Sequence, residues 1–174
     1  LTVTRDAAVL ISGVVDSAAA VDTDMFGLRT IVTDVVTDPR WSEFFSDVVG
    51  QRVELRQARE SAVDVRPTTL VGTSSVEELA RQSGLADVDP QRFRMLIEFS
   101  GGEPHVEDSW AGQLIHVGDA VLRAEGRVKR CAATTRNPDS GAVDLQTLKL
   151  ITAYRGRLDS ALGPGAMFGV YGDV

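Results

Sequence analysis

The chain has one cysteine, two histidines and two lysines among its 174 residues, and each scarcity excludes something. A single cysteine cannot form an internal disulfide, so the composition carries no sign of an oxidising compartment. With few lysines and a formal net charge of −7, the sequence lacks the clustered positive surface that nucleic-acid phosphates require, and nucleic acid is not expected as a partner. No apolar run approaches the ~20 residues of a membrane-spanning helix, and no charged-then-apolar leader opens the chain, so a cytoplasmic protein with no membrane partner is expected. The first residue is Leu1 rather than methionine, which is expected of a fragment that lacks upstream residues. A glycine-rich phosphate loop with lysine, a paired-histidine metal motif, a calcium loop and a nucleophile elbow are all missing. His105 follows Pro104 in a turn-like stretch, and His116 alternates with Ile115 and Val117 on the wet face of a strand. Neither has a second ligand at a paired spacing.

An apolar content of 43% supports one core and one main domain. Residues 1–4 and 8–15 read as two short strands around Arg5-Asp6. Asp38 as cap, Pro39 at the first helical position and Gly50 as stop define a helix, and Trp41, Phe44, Phe45, Val48 and Val49 share one face expected to dock on the core. Residues 52–56 alternate like a strand. Residues 68–72 form another, running into a helix that ends near Gly84, where Ser74 and Glu77 have the spacing of a capping box. Such a strand-to-helix junction exposes N–H groups and hydroxyls suited to an anion. Further on, residues 113–117 and 120–123 are strands joined at Gly118-Asp119, residues 127–135 continue as a strand or its exit, and residues 137–141 are a loop. Asp144 is placed to cap a helix whose Leu145, Leu148, Ile151 and Thr152 share a face, and residues 168–171 close the chain as a strand. Many short strands with three scattered helices give a mainly β fold with peripheral helices (α+β), either a β-barrel or a folded sheet.

Cys131 stands out by its neighbours. Arg127, Lys129 and Arg130 precede it, and nearby positive charge favours the thiolate, the nucleophilic and metal-binding form. Strand alternation puts Lys129 and Cys131 on one face with Arg130 turned away. The alternative for a lone cysteine is a buried, inert position.

Eight stretches carry a family resemblance in order: Arg92-Phe93-Arg94, Glu107-Asp108-Ser109-Trp110, Leu114 to Leu122 around Gly118-Asp119, Arg130-Cys131, Thr134-Thr135, Pro138-Asp139-Ser140-Gly141, Leu148 to Arg155, and Phe168-Gly169-Val170-Tyr171. They resemble the MOSC domain, named for the C-terminal domain of molybdenum cofactor sulfurase and found in the mitochondrial amidoxime-reducing component. The match covers residues 68–174 as a MOSC core, leaving residues 1–67 as N-terminal strands and a helix that fit a truncated N-terminal subdomain. The resemblance implies a MOSC-type β-barrel that binds the molybdenum cofactor (molybdopterin), with the metal carried on the pterin's dithiolene sulfurs. It implies Cys131 as the molybdenum ligand and catalytic residue in the amidoxime-reducing branch, or as a sulfur relay elsewhere. Thr73, Ser74, Ser75, Arg92, Arg94, Lys129 and Arg130 are the implied cofactor-binding set. The amidoxime-reducing branch usually has Arg-Pro-Asn where this chain has Arg94-Met95-Leu96, so one polar contact is lost, and the loop reads Asn137-Pro138-Asp139 in place of Asp-Pro-Asp. The basic segment that many relatives carry in an early strand has no counterpart in residues 1–30.

Two functions follow. One is an oxidoreductase reducing N-oxygenated small molecules, supplied with electrons by a donor protein because the chain has no cysteine set for an iron–sulfur cluster. The other is a carrier module in which Cys131 holds the cofactor or a persulfide for delivery.

Overall fold

A computed structural model describes residues 1–60, 62 and 64–174. Its contacts cluster into two units, Leu1–Val65 and Arg66–Val174. In the first unit β1 (Thr2–Arg5) and β2 (Ala8–Ser12) form the expected hairpin, and β3 (Ser17–Met25), β4 (Arg29–Val36) and β5 (Arg56–Ala58) form an antiparallel sheet in that order. Between β4 and β5 lies α1 (Pro39–Val49). It starts and stops where the sequence dictates: the Asp38 carboxylate accepts the Arg40 N–H at 3.0 Å, and Gly50 takes the left-handed conformation at φ 72°. Its aromatic stripe is only half a docking face, because Trp41 is buried whereas Val48 and Val49 are more than half exposed. The alternating run at residues 52–56 does not pair until Arg56, where β5 begins.

The second unit is built on a five-stranded sheet. Its strands are β6 (Thr68–Gly72), β7 (Ile97–Phe99), β8 (Leu114–Val117), β9 (Ala120–Lys129) and β10 (Met167–Asp173), in the order β7-β6-β10-β9-β8. The β6–β7 pair is parallel and the rest are antiparallel. The sheet is curled but open, with β7 and β8 as edges, and this corrects the expectation of a β-barrel: half of a barrel is present, not a closed one. Helices α2 (Thr73–Gln82) and α3 (Thr147–Arg155) complete a mainly β, α+β architecture. The core on one face joins Val71 and Phe168 of the sheet to Val76 and Leu79 of α2, Ile151 of α3 and Phe93, whose ring stacks on Phe168 at 4.4 Å between centroids. On the other face Leu70, Leu122 and Val170 pack together.

The last strand is the centre of the sheet, flanked by β6 and β9, and six of its seven residues are buried. Its register slips between Met167 and Val170, where Gly169 adopts φ +76°. A Cβ there would sit 2.6 Å from the Leu70 carbonyl oxygen and collide with Met95 Cε, so only glycine fits this bulge.

Candidate functional site

Register decides which chemistry meets. Lys129 pairs with Met167, Val170 pairs with Leu70, and Gly72 pairs with Phe99. The last residues of β6 and β9 and the first of β10 therefore lie at one end of the sheet. Strand spacing places the ends of β6 and β9 roughly 10 Å apart across β10. From that end β6 runs straight into α2, and β9 exits through Arg130 to Cys131.

Cys131 caps a 3₁₀ turn, Ala132–Thr135. The N–H and Oγ1 of Thr134 both donate to its carbonyl, at 3.2 and 3.0 Å, fixing its backbone. The thiol is free and exposed, which rules out the buried, inert alternative. Because β9 ends at Lys129, strand alternation does not extend to Cys131, and the basic neighbours have partners of their own. Lys129 Nζ donates to the Leu162 carbonyl at 2.8 Å. Arg130 bonds the Phe93 carbonyl and Met95 sulfur and lies over the Phe93 ring at 5.4 Å. Arg127 is ion-paired to Asp108 at 3.0 Å.

The α2 junction departs from a capping box. Gly72 is the N-cap and no side chain caps the helix, because Ser74 lies inside its first turn. Ser75 is fully buried, donating to the Glu107 carboxylate at 2.8 Å and accepting the His105 N–H at 2.8 Å. Its hydroxyl is thus a structural joint between α2 and the 3₁₀ turn at Val106–Trp110. Ser74 Oγ is also buried, and it has no hydrogen-bond partner among the described residues. Thr73 is half-buried beside it.

Arg92 and Arg94 come from the 3₁₀ turn Pro90–Phe93 and its cap. Arg92 forks onto Asp144 with two bonds of 2.7 Å, which holds the Asp144 carboxyl down at about 2. Asp144 is therefore Arg92's counter-ion and not a helix cap: α3 starts after Gln146 without one. Arg94 sits in the left-handed region at φ 49°, exposed, beside a cleft of about 290 Å³ that Arg92, Ala133 and Arg136 also line. Leu96 is exposed and contributes only its backbone N–H, donated to Thr69 Oγ1 at 3.1 Å. A roomier concavity of about 750 Å³ along α1, lined by Ser42, Glu43 and Asp47 among others, carries neither cysteine nor histidine.

One cluster was not legible in the sequence. His105 sits between Tyr154 Oη at its Nε2 and the Arg155 guanidinium at its Nδ1, each at 3.0 Å, and Arg155 also binds Asp108 and the Met167 carbonyl. Since Arg155 only donates, Nδ1 is the acceptor and the neutral ring carries its proton on Nε2. Burial, reinforced by Arg155, pushes the His105 pKa down to about 4, and burial raises that of Tyr154 to about 12. Among the described residues no group of three or more histidine, cysteine, aspartate or glutamate side chains could hold a metal ion, and no helix is long and apolar enough to cross a membrane.

An open, curled sheet that presents an exposed soft thiol at one end, with an arginine-lined cleft on the turn that follows, defines a thiol-bearing β domain. The family model described as MOSC domain matches residues 57–174, and the chain belongs to that family. Two relatives are similar to it. The mitochondrial amidoxime reducing component 2 of Rattus norvegicus is 31% identical over 115 residues, covering 64% of this chain and 33% of that protein. The molybdenum cofactor sulfurase of Solanum lycopersicum is 30% identical over 105 residues, covering 55% of this chain and 13% of that protein. The chain thus spans a third or less of the length of these relatives.

Proposed function

We propose that this chain binds the molybdenum cofactor, with Cys131 as metal ligand, and serves as an oxidoreductase, or a component of one, that reduces N-oxygenated small molecules. The observation that carries the reading is the exposed, unpaired thiol of Cys131 in a MOSC-family chain, one of whose relatives is named an amidoxime reducing component. The residues fit such a group in part. A soft thiolate suits molybdenum. Arg94, exposed and without a side-chain partner among the described residues, suits a phosphate, and the orphaned Ser74 hydroxyl has hydrogen bonds to offer at the start of α2 beside Thr73. Ser75, Arg92, Lys129 and Arg130 are engaged with other protein groups and act as the frame behind these contacts. When bound, the cofactor supplies a redox-active metal. The chain's residues hold and orient it, and a donor protein supplies electrons.

A carrier module is the second reading, favoured by the same thiol, which has no acid–base partner among the described residues and is open to a sulfur acceptor. The test is the molybdenum and pterin content of protein made in a cofactor-producing host, beside Cys131→Ala. Metal in the parent and its loss in the variant is the expected result, followed by turnover of an amidoxime with an electron donor. Persulfide on Cys131 without molybdenum would favour the carrier. Neither metal nor pterin in either protein would end the cofactor reading.

A further inference from the structure

Glu107 is the only carboxylate among the described residues that is fully buried, at 0% exposed, and it has no cationic partner there. Its oxygens accept the Ser75 hydroxyl at 2.8 and 3.0 Å and the Gly72 N–H at 3.4 Å. Because Ser75 Oγ also accepts the His105 N–H, the hydroxyl's own proton is directed at the carboxylate. The guanidiniums of the adjoining network, Arg127 and Arg155, are both paired with Asp108.

Gly72 and Ser75 bracket the start of α2, as its N-cap and its third residue. The positive end of the helix is therefore met from inside the fold by an anion that belongs to the chain, in surroundings where charge is poorly screened. A buried carboxylate without a cation is costly, and the helix start offsets part of that cost here. We infer that Glu107 sets the charge preference of this strand-to-helix junction, which receives a neutral hydrogen-bonding edge and excludes phosphate.

The other groups at the junction agree with that preference. Ser74 Oγ is buried without a partner among the described residues, and it and Ser75 Oγ each stand 3.3 Å from the place a Gly72 Cβ would take. Both hydroxyls thus share the side of the junction that Glu107 occupies through Ser75. A hydroxyl donates and accepts, which suits an amide-like edge, whereas a phosphate would bring only negative oxygens towards a carboxylate fixed in place. In the function proposed above, the uncharged pterin ring would then meet α2 and the phosphate would meet Arg94. That assignment of the two ends rests on the proposed function; the exclusion of phosphate from α2 does not.

Amide NMR titration of the metal-free protein tests the preference, with inorganic phosphate and unsubstituted pterin as probes and the Thr73, Ser74 and Ser75 N–H signals as reporters. In the parent, phosphate is expected to leave these signals in place and pterin to shift them. Glu107→Gln keeps nearly the same shape without the charge, and is expected to bind phosphate at these amides about tenfold or more tightly than the parent. Glu107→Asp, which keeps the charge, is expected not to. Thermal melts check that each variant folds. Saturable phosphate shifts at these amides in the parent overturn the inference without any variant, as does a folded Glu107→Gln protein that gains no phosphate binding. With phosphate binding gained in the Gln variant, a parent that does not respond to pterin keeps the exclusion of phosphate and removes α2 from the cofactor reading. A parent that shifts with both probes does the reverse.

Discussion

His105 couples the fold to pH. Its pKa is pushed down to about 4 from an unfolded value of 6.5, so as pH falls the unfolded chain takes up this proton first. Its contribution is fully favourable above about pH 6.5, is lost progressively between 6.5 and 4, and levels off below that. The carboxyls of Glu78 and Asp144, each lowered to about 2 by arginine hydrogen bonds, add a second loss of stability at lower pH, as they protonate. Urea midpoints are therefore expected to fall from pH 7.5 to 5, and His105→Gln to flatten that slope. An unchanged slope in the variant would remove His105 from the account. None of this was legible in the sequence, because Tyr154 and Arg155 lie 49 and 50 residues from His105 and a turn-like stretch says nothing of what will cover it. Cys131 was legible as a singular residue in a basic segment. What the neighbouring charges do was not, because proximity in sequence suggested a basic setting for the thiol while the fold gave Lys129, Arg130 and Arg127 to carbonyls, a ring and Asp108.

Elements whose signals are local came through well. Asp38, Pro39 and Gly50 delimit α1, residues 68–72 are β6, and Gly118-Asp119 joins β8 to β9. Elements defined by partners did not. Ser74-to-Glu77 spacing mimics a capping box, yet β6 carries its extended backbone through Gly72, which moves the cap two residues upstream and leaves Ser74 within the helix. Asp144 likewise has a capping residue's chemistry, but a charged, bidentate arginine is the stronger partner. The strand expected at residues 168–171 does close the chain as β10, and it lies in the middle of the sheet, a place no local signal gives, where the Gly169 bulge turns the chain. Gly169→Ala is expected to lower stability by on the order of 3 kcal/mol, from a strained left-handed residue plus a clash with Leu70 and Met95. Denaturant melts measure it, and a loss under about 0.5 kcal/mol, the scale of a neutral surface change, would mean that the bulge accommodates a side chain.

For the whole molecule, the three helices were recoverable from punctuation, but β3 and β4 were not anticipated in residues 17–36, and closure was not recoverable either. A barrel and a half-barrel share the same alternation and turns, and they differ only in whether two edge strands meet. Here β7 and β8 do not. Pairings such as Leu70 with Val170 span a hundred residues of chain, so the slowest refolding phase is expected in the millisecond-to-second range of non-local β topologies, followed by tryptophan fluorescence. Recovery complete in microseconds would contradict that topology. The same arrangement bears on synthesis. A ribosome delivers β6, β7, β8 and β9 before β10, so β6 and β9 emerge with their inner edges bare and must wait for the strand that joins them. Until it arrives the nascent chain holds two separate ribbons with open backbone donors and acceptors, the state in which such a domain is most exposed to pairing with the wrong partner.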